Sequence, residues 1–169
     1  MYKKRRKRLF KLMKDNSIAL IESAPEKIRN NDSTYRYRQC SNFYYLTGYD
    51  KPSALLLVLK KNKKLITHFF TKKPNKHDEV WTGQLPTSTT TKNLYGFDKC
   101  SYLNDIEKYL MLYLANTKTI YHAWDDDTVN KSIFNSCLHK LGEKYRSGTE
   151  IPSEFFSLKK IVHKLRLIK

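Results

Sequence analysis

The chain has 169 residues, 40% hydrophobic and 29% charged, with only 5 glycines and 5 prolines. That mix describes one globular domain with enough apolar material for a core, and it excludes a disordered or low-complexity chain. A formal net charge of +17 invites a polyanion-binding reading, but the cations are 25 lysines and 8 arginines scattered from Lys3 to Lys169, whereas phosphate readers lean on the arginine fork.

In chain order, Leu9, Phe10 and Met13 recur at helical spacing behind "KKRRKR", so residues 3–14 are predicted as an amphipathic helix whose other face is basic. "SIALI" (17–21) reads as a short apolar strand, and 22–34 as a polar, turn-rich passage. Alternation within Tyr35–Gln39 places the tyrosines on one face and Arg36 and Arg38 on the other. "ALLLVLKKNKKLITHFF" is the clearest pair of elements. It gives strands over 54–60 and 65–70, joined by a four-residue loop, Lys61 to Lys64.

Residues 71–92 form an irregular passage around "DEVWTGQLPTSTT". A short helix follows near 88–95, ending at Gly96. "NDIEKYLMLYLAN" (104–116), capped by Asn104 or Asp105, is apolar nearly all round and predicts a well-buried helix. "TIYHAW" (119–124) is a strand. After it, Asp127 is placed to cap a helix whose rows Val129, Ile133, Cys137, Leu141 and Phe134, Leu138, Tyr145 make a broad apolar face. "SLKKIVHKLRLIK" (157–169) starts a further helix or a linker. Strands alternate with helices, so the fold class is α/β with a mixed sheet.

No catalytic constellation closes on this sequence. The five histidines (68, 77, 122, 139 and 163) never pair as HxxxH or HExxH. His68 and His122 fall inside strands, where a structural imidazole is the simpler reading. Asp125-Asp126-Asp127 lacks the spaced oxygens and closing glutamate of a calcium loop. Phosphate-cradling glycine motifs and GxSxG are absent. Cys40, Cys100 and Cys137, odd in number and without CxxC, read as free thiols of a reducing cytoplasm. No apolar run approaches the ~20 residues of a membrane helix. Two loop residues are candidates for contact. Trp81 either packs locally or offers a flat apolar wall to a ligand. Arg146, at a helix end, either complements that end or holds a carboxylate or peptide carbonyl. The first fourteen residues, with eight basic side chains and no acid, leave open an accessory contact with nucleic acid or a membrane surface.

The stretch "AP…RNNDSTYRYRQCSNFYYLTGYDKPSALLLVL", residues 24–59, closely resembles the start of the Xaa-Pro aminopeptidase (aminopeptidase P) family. "DEVWTG" (78–83), "NLYGFD" (93–98), "FNSCLHKL" (134–141) and "IVHKLRLIK" (161–169) keep the family's order. The resemblance is to the amino-terminal domain alone. It implies a ribonuclease H-like α/β unit, as in creatinase and prolidase, over 1–156. Residues 157–169 would begin a linker toward a pita-bread catalytic domain that this sequence does not contain. In that missing domain, aspartates, a histidine and glutamates would hold two divalent ions, usually manganese, which activate the hydroxide that cleaves the bond before proline. The chain itself is therefore expected to be inert, with no catalytic residue, metal or cofactor of its own.

The resemblance also implies homo-oligomer formation and a rim that restricts which proline-containing peptides reach a neighbouring active site. Trp81 and, less directly, Arg146 correspond to rim residues. Departures from the family pattern are Cys40 for Asp or Asn, Asn42 for Asp, Lys51 for Glu, and "QLPT" after "WTG". Together with the early stop, these suggest a truncated, split or decaying gene product as readily as an excised piece. Within the resembling stretch, Tyr35–Leu46 is expected to be a packed loop in which Arg36 and Arg38 bind carboxylates or carbonyls of the same protein. Two alternatives remain: a basic nucleic-acid-binding module built on residues 3–14, and an interaction subunit complementing a separate peptidase domain.

Overall fold

The computed structural model describes residues 1–31, 33–75, 85–124, 130–145 and 148–167. Its centre is a six-stranded sheet. In chain order the strands are β1 (Ser17–Glu22), β4 (Ala54–Lys61), β5 (Lys64–Thr71), β6 (Lys99–Tyr102), β7 (Thr119–His122) and β8 (Glu154–Ser157). They lie side by side as β6-β5-β4-β1-β7-β8. β4 pairs antiparallel with β1 and β5, while β5–β6, β1–β7 and β7–β8 are parallel. The mixed α/β sheet expected from the sequence is present. A separate two-stranded hairpin, β2 (Ile28–Asn30) with β3 (Ser33–Thr34), stands fully exposed within the passage read as turns.

Both faces of the sheet are covered, which explains why "SIALI" and "ALLLVL" are continuous apolar runs and not alternating ones. With a side-chain period of two, Ala19, Ile21, Leu56, Val58 and Phe69 enter one core. There they meet α1 (Tyr2–Leu12), α2 (Ser41–Thr47) and α6 (Leu158–Leu167) through Leu9, Phe43, Leu46 and Val162. Ile18, Leu20, Leu55, Leu57 and Phe70 enter the other. That side is closed by α4 (Ile106–Leu114) and α5 (Lys131–Glu143) through Leu110, Leu114, Phe134 and Cys137. α3 (Ser88–Tyr95) ends on left-handed Gly96, where the sequence placed its stop.

Several local expectations change. The β4–β5 loop has two residues, not four: Lys61 still pairs with Lys64, and Asn62 and Lys63 take φ of 51° and 58°. Two consecutive left-handed residues are the turn whose twist suits a tight hairpin. α4 is amphipathic, not buried all round, with Leu112 64% exposed. A short 3₁₀ turn, Leu103–Asp105, precedes it without a side-chain cap. Tyr35–Gln39 forms no strand, and Tyr35 is exposed while Tyr37 is half-buried. β6 and β8, two four-residue strands, were not legible as strands at all. Tyr145 is exposed beyond the end of α5, and Asp127 and Val129 lie outside the described residues.

Candidate functional site

Parallel β1 and β7 end at the same edge of the sheet, so Glu22 and His122, their last residues, come together across 100 positions of sequence. His122 Nε2 lies 3.5 Å from Glu22 Oε1, with side chains 5% and 7% exposed. Asn130, just ahead of α5, donates its backbone N–H (3.2 Å) and its Nδ2 (2.9 Å) to Glu22 Oε2. The imidazole stacks on Phe134 at 5.7 Å and meets Trp124 edge-on. Its Nδ1 is buried and has no hydrogen-bond partner among the described residues. Such an atom is unusual inside a protein.

Above this pair the chain makes a corner. Ser23 N–H donates to Ala54 O and Ser23 Oγ accepts from Ala54 N–H, which lets Ala24 and Pro25 leave the sheet. The corner, Cys40, Ala123 and the first residues of α6 enclose a cavity of about 600 Å³ with an apolar wall of Leu20, Ile21 and Leu158. A shallower depression of about 360 Å³ adjoins it, sharing Ala24, Pro25, Lys27 and Cys40 and continuing along residues 35–41.

That second wall departs from expectation. Arg36 and Arg38 bind no carboxylate or carbonyl among the described residues. Both are exposed, and neither makes a hydrogen bond or ion pair among the described residues. Gln39 and Tyr37 hold the segment instead. Gln39 Oε1 accepts from the Ala24 and Cys40 N–H groups at 2.8 and 2.9 Å, and its Nε2 donates to Tyr49 O and Lys51 O. Tyr37 donates to Ala24 O at 3.1 Å, and burial pushes its phenol up to about 12. An amide satisfying four backbone groups at a loop is worth more than a surface ion pair. The physical reason for the correction is therefore plain: neutral groups fix the backbone, which leaves both arginines exposed to solvent.

The basic first helix behaves in the opposite way. Arg6, 1% exposed, donates to Leu46 O, Tyr95 O and Gly96 O at 3.0, 2.8 and 2.7 Å, with its guanidinium over the Phe97 ring. Arg5 donates to Tyr45 O and covers the Tyr45 ring. Two of the arginines that suggested a polyanion surface are thus internal struts between α1, α2 and α3.

His68 is structural, as its strand position suggested. It is 1% exposed, bonded through Nδ1 to Tyr113 OH and through Nε2 to Ser101 Oγ, and burial lowers it to about 4. Burial also raises the Cys100 thiol to about 11, and it raises Cys137, so neither thiol is a poised nucleophile. Among the described residues, no hydrogen bond connects His122 to Ser23 or Cys40. Trp81 and Arg146 lie outside the described residues. The sequence reading missed Glu22 and Asn130. The one available signal was a carboxylate closing an otherwise apolar strand at the sheet edge where α/β folds place ligands.

Among the described residues no group of three or more His, Cys, Asp or Glu could hold a metal ion, and no helix is long and apolar enough to cross a membrane. Residues 2–121 match the family model described as "Aminopeptidase P, N-terminal domain". The chain is 31% identical over 172 residues to Xaa-Pro aminopeptidase of Escherichia coli (strain K12), covering 99% of this chain and 38% of that protein. It is 32% identical over 139 residues to the Xaa-Pro aminopeptidase of Haemophilus influenzae, covering 79% of this chain and 32% of that one. Its fold superposes on the solved aminopeptidase P from E. coli, low pH form, with a TM-score of 0.94 at 31% identity, over 99% of this chain and 38% of that one. The chain therefore spans well under half the length of the relatives it matches.

Proposed function

The chain belongs to the aminopeptidase P N-terminal domain family, and from that premise we propose that it is the non-catalytic scaffold and access domain of a Xaa-Pro aminopeptidase. The observation that carries this reading is the extent of the match. Nearly the whole chain superposes on 38% of the solved relative, so the peptidase chemistry belongs to the remainder. The two manganese ions implied for this family do not fit the side chains described. His68 has both nitrogens occupied, and His122 has a single carboxylate partner among the described residues. No step is assigned to metal in this domain.

In this reading the domain supplies subunit contacts and a rim that selects proline-containing peptides in the cytoplasm. Trp81 and Arg146 are its substrate-facing residues. Residues 157–169 lead toward the catalytic domain, with α6 anchored first: Leu158, Val162 and Leu165 are buried and Leu165 O accepts from Tyr45 OH.

The test compares the chain alone, with manganese, against the chain joined to or mixed with a catalytic domain of the same family. Release of the residue before proline is measured together with molar mass in solution. No release is expected from the chain alone. With its partner, release is expected, and Trp81→Ala should lower kcat/KM for longer peptides without changing the molar mass. Sustained release by the chain alone would overturn the reading.

A further inference from the structure

We propose that the groove running from the Arg36–Arg38 segment into the cavity beside His122 is a binding site for a small carboxylate with an apolar body. The site stands independently of the scaffold role. Three features carry it.

The first is unsatisfied charge held in place. Lys27, Arg36 and Arg38 line one depression and make no ion pair among the described residues. The loop under them is locked by the four hydrogen bonds of Gln39 and the one from Tyr37. A guanidinium matches a carboxylate through two parallel N–H donors, and a fixed backbone lowers the ordering cost of capture.

The second is shape. Past shared Lys27 and Cys40 the groove deepens into about 600 Å³ walled by Leu20, Ile21, Ala123 and Leu158, a size typical of small-ligand sites. The third is the floor. Glu22 lines the cavity but is engaged by His122 and Asn130, so its charge is partly answered. His122, 4% exposed, lines the same cavity with an unpartnered Nδ1. α6 begins on this wall at Leu158 and Lys159, and Leu158 adds to its apolar lining. The carboxylate would sit at the arginine mouth, whose lining does not include Glu22, with the apolar body against the leucine and isoleucine wall.

The shared chemistry has two sources, a free carboxylic acid or the C-terminal residue of a peptide. The test titrates the 169-residue chain with 4-phenylbutyrate, with 4-phenylbutyramide, with the peptide Gly-Pro-Phe and its C-terminal amide, and with inorganic phosphate. Backbone amide NMR shifts at Lys27, Cys40, His122 and Ala123 are followed. Saturable shifts are expected for at least one carboxylate, about tenfold stronger than for its amide, with Arg36→Gln/Arg38→Gln weakening the carboxylate by about tenfold and leaving the amide unchanged. Response to both acids assigns the site to any apolar carboxylate. Response to the peptide alone assigns it to a peptide C-terminus, and response to phenylbutyrate alone to a free acid. Because both arginines are exposed, the double variant should fold, and unchanged far-ultraviolet circular dichroism would establish that. The proposal is overturned if no carboxylate saturates by about 10 mM, if phosphate gives the same shifts at the same concentrations, or if the double variant binds as tightly as the parent.

Discussion

Two arginine-bearing runs sit a short distance apart in sequence, "RR" at Arg5-Arg6 inside the first helix and "YRYR" at Tyr35–Arg38. In the first, Arg6 is sealed among three backbone carbonyls and Arg5 caps a fourth. In the second, the guanidiniums have no partner among the described residues, and an uncharged neighbour, Gln39, does the fastening. The same side chain serves as an internal strut in one place and as an open charge in the other. What separates them is whether unpaired carbonyls, at helix ends and corners, lie within reach of the fork. The last carbonyls of α2 and α3 have no partner inside their own helices, and Arg6 is where both helices end.

The contrast breaks most sharply at Arg6. Arg6→Leu should cost at least about 3 kcal/mol, because three carbonyls lose their donor in a place water reaches poorly. The midpoint of urea unfolding measures it, and a shift within error of zero would mean the helix ends are satisfied otherwise. Next in size is another internal polar group, His68, lowered by burial and by Lys99 to about 4 from an ordinary 6.5. Its folded-state pKa lies below its unfolded one, so the unfolded chain takes the proton first. Stability is complete above pH 6.5 and falls, by about 3 kcal/mol, as pH drops through 4. Unfolding at a series of pH values should show that loss, and His68→Gln should flatten it.

Gln39→Ala removes the fastening of the open segment and should cost about 2 kcal/mol. It should also speed trypsin cleavage at Arg36 and Arg38 in otherwise folded protein, where the parent resists. The smallest effect belongs to the open charges: Arg36→Gln with Arg38→Gln should change stability by no more than about 0.5 kcal/mol. A loss comparable to that of Arg6→Leu would show that these arginines are structural after all.

The elements that were legible are those whose signal is local. β1, β4 and β5 announce themselves as apolar runs, α1 and α5 as periodic rows, and α3 by its closing glycine. β6 ("KCSY") and β8 ("EFFS") are too short and mixed to carry a period of two. They are strands only because β5 and β7 offer free edges beside them. The exposure of α4's outer face was equally illegible, since Leu112 reads like Leu110 until a neighbour is placed. For the candidate site, the sequence drew the eye to Arg36 and Arg38 but misassigned them, and it offered no way to join Glu22 to Asn130, 108 positions away.

The sequence by itself determined the α/β class, the main hairpin and, through its resemblance, the family. All of these depend on side-chain periodicity or on contiguous residues. Only the tertiary structure decided which arginines became internal, which were left open, and that a walled cavity lies where β1 and β7 end. Those outcomes depend on which backbone carbonyls and strand ends are brought within hydrogen-bonding distance, and that is fixed by packing across the sheet.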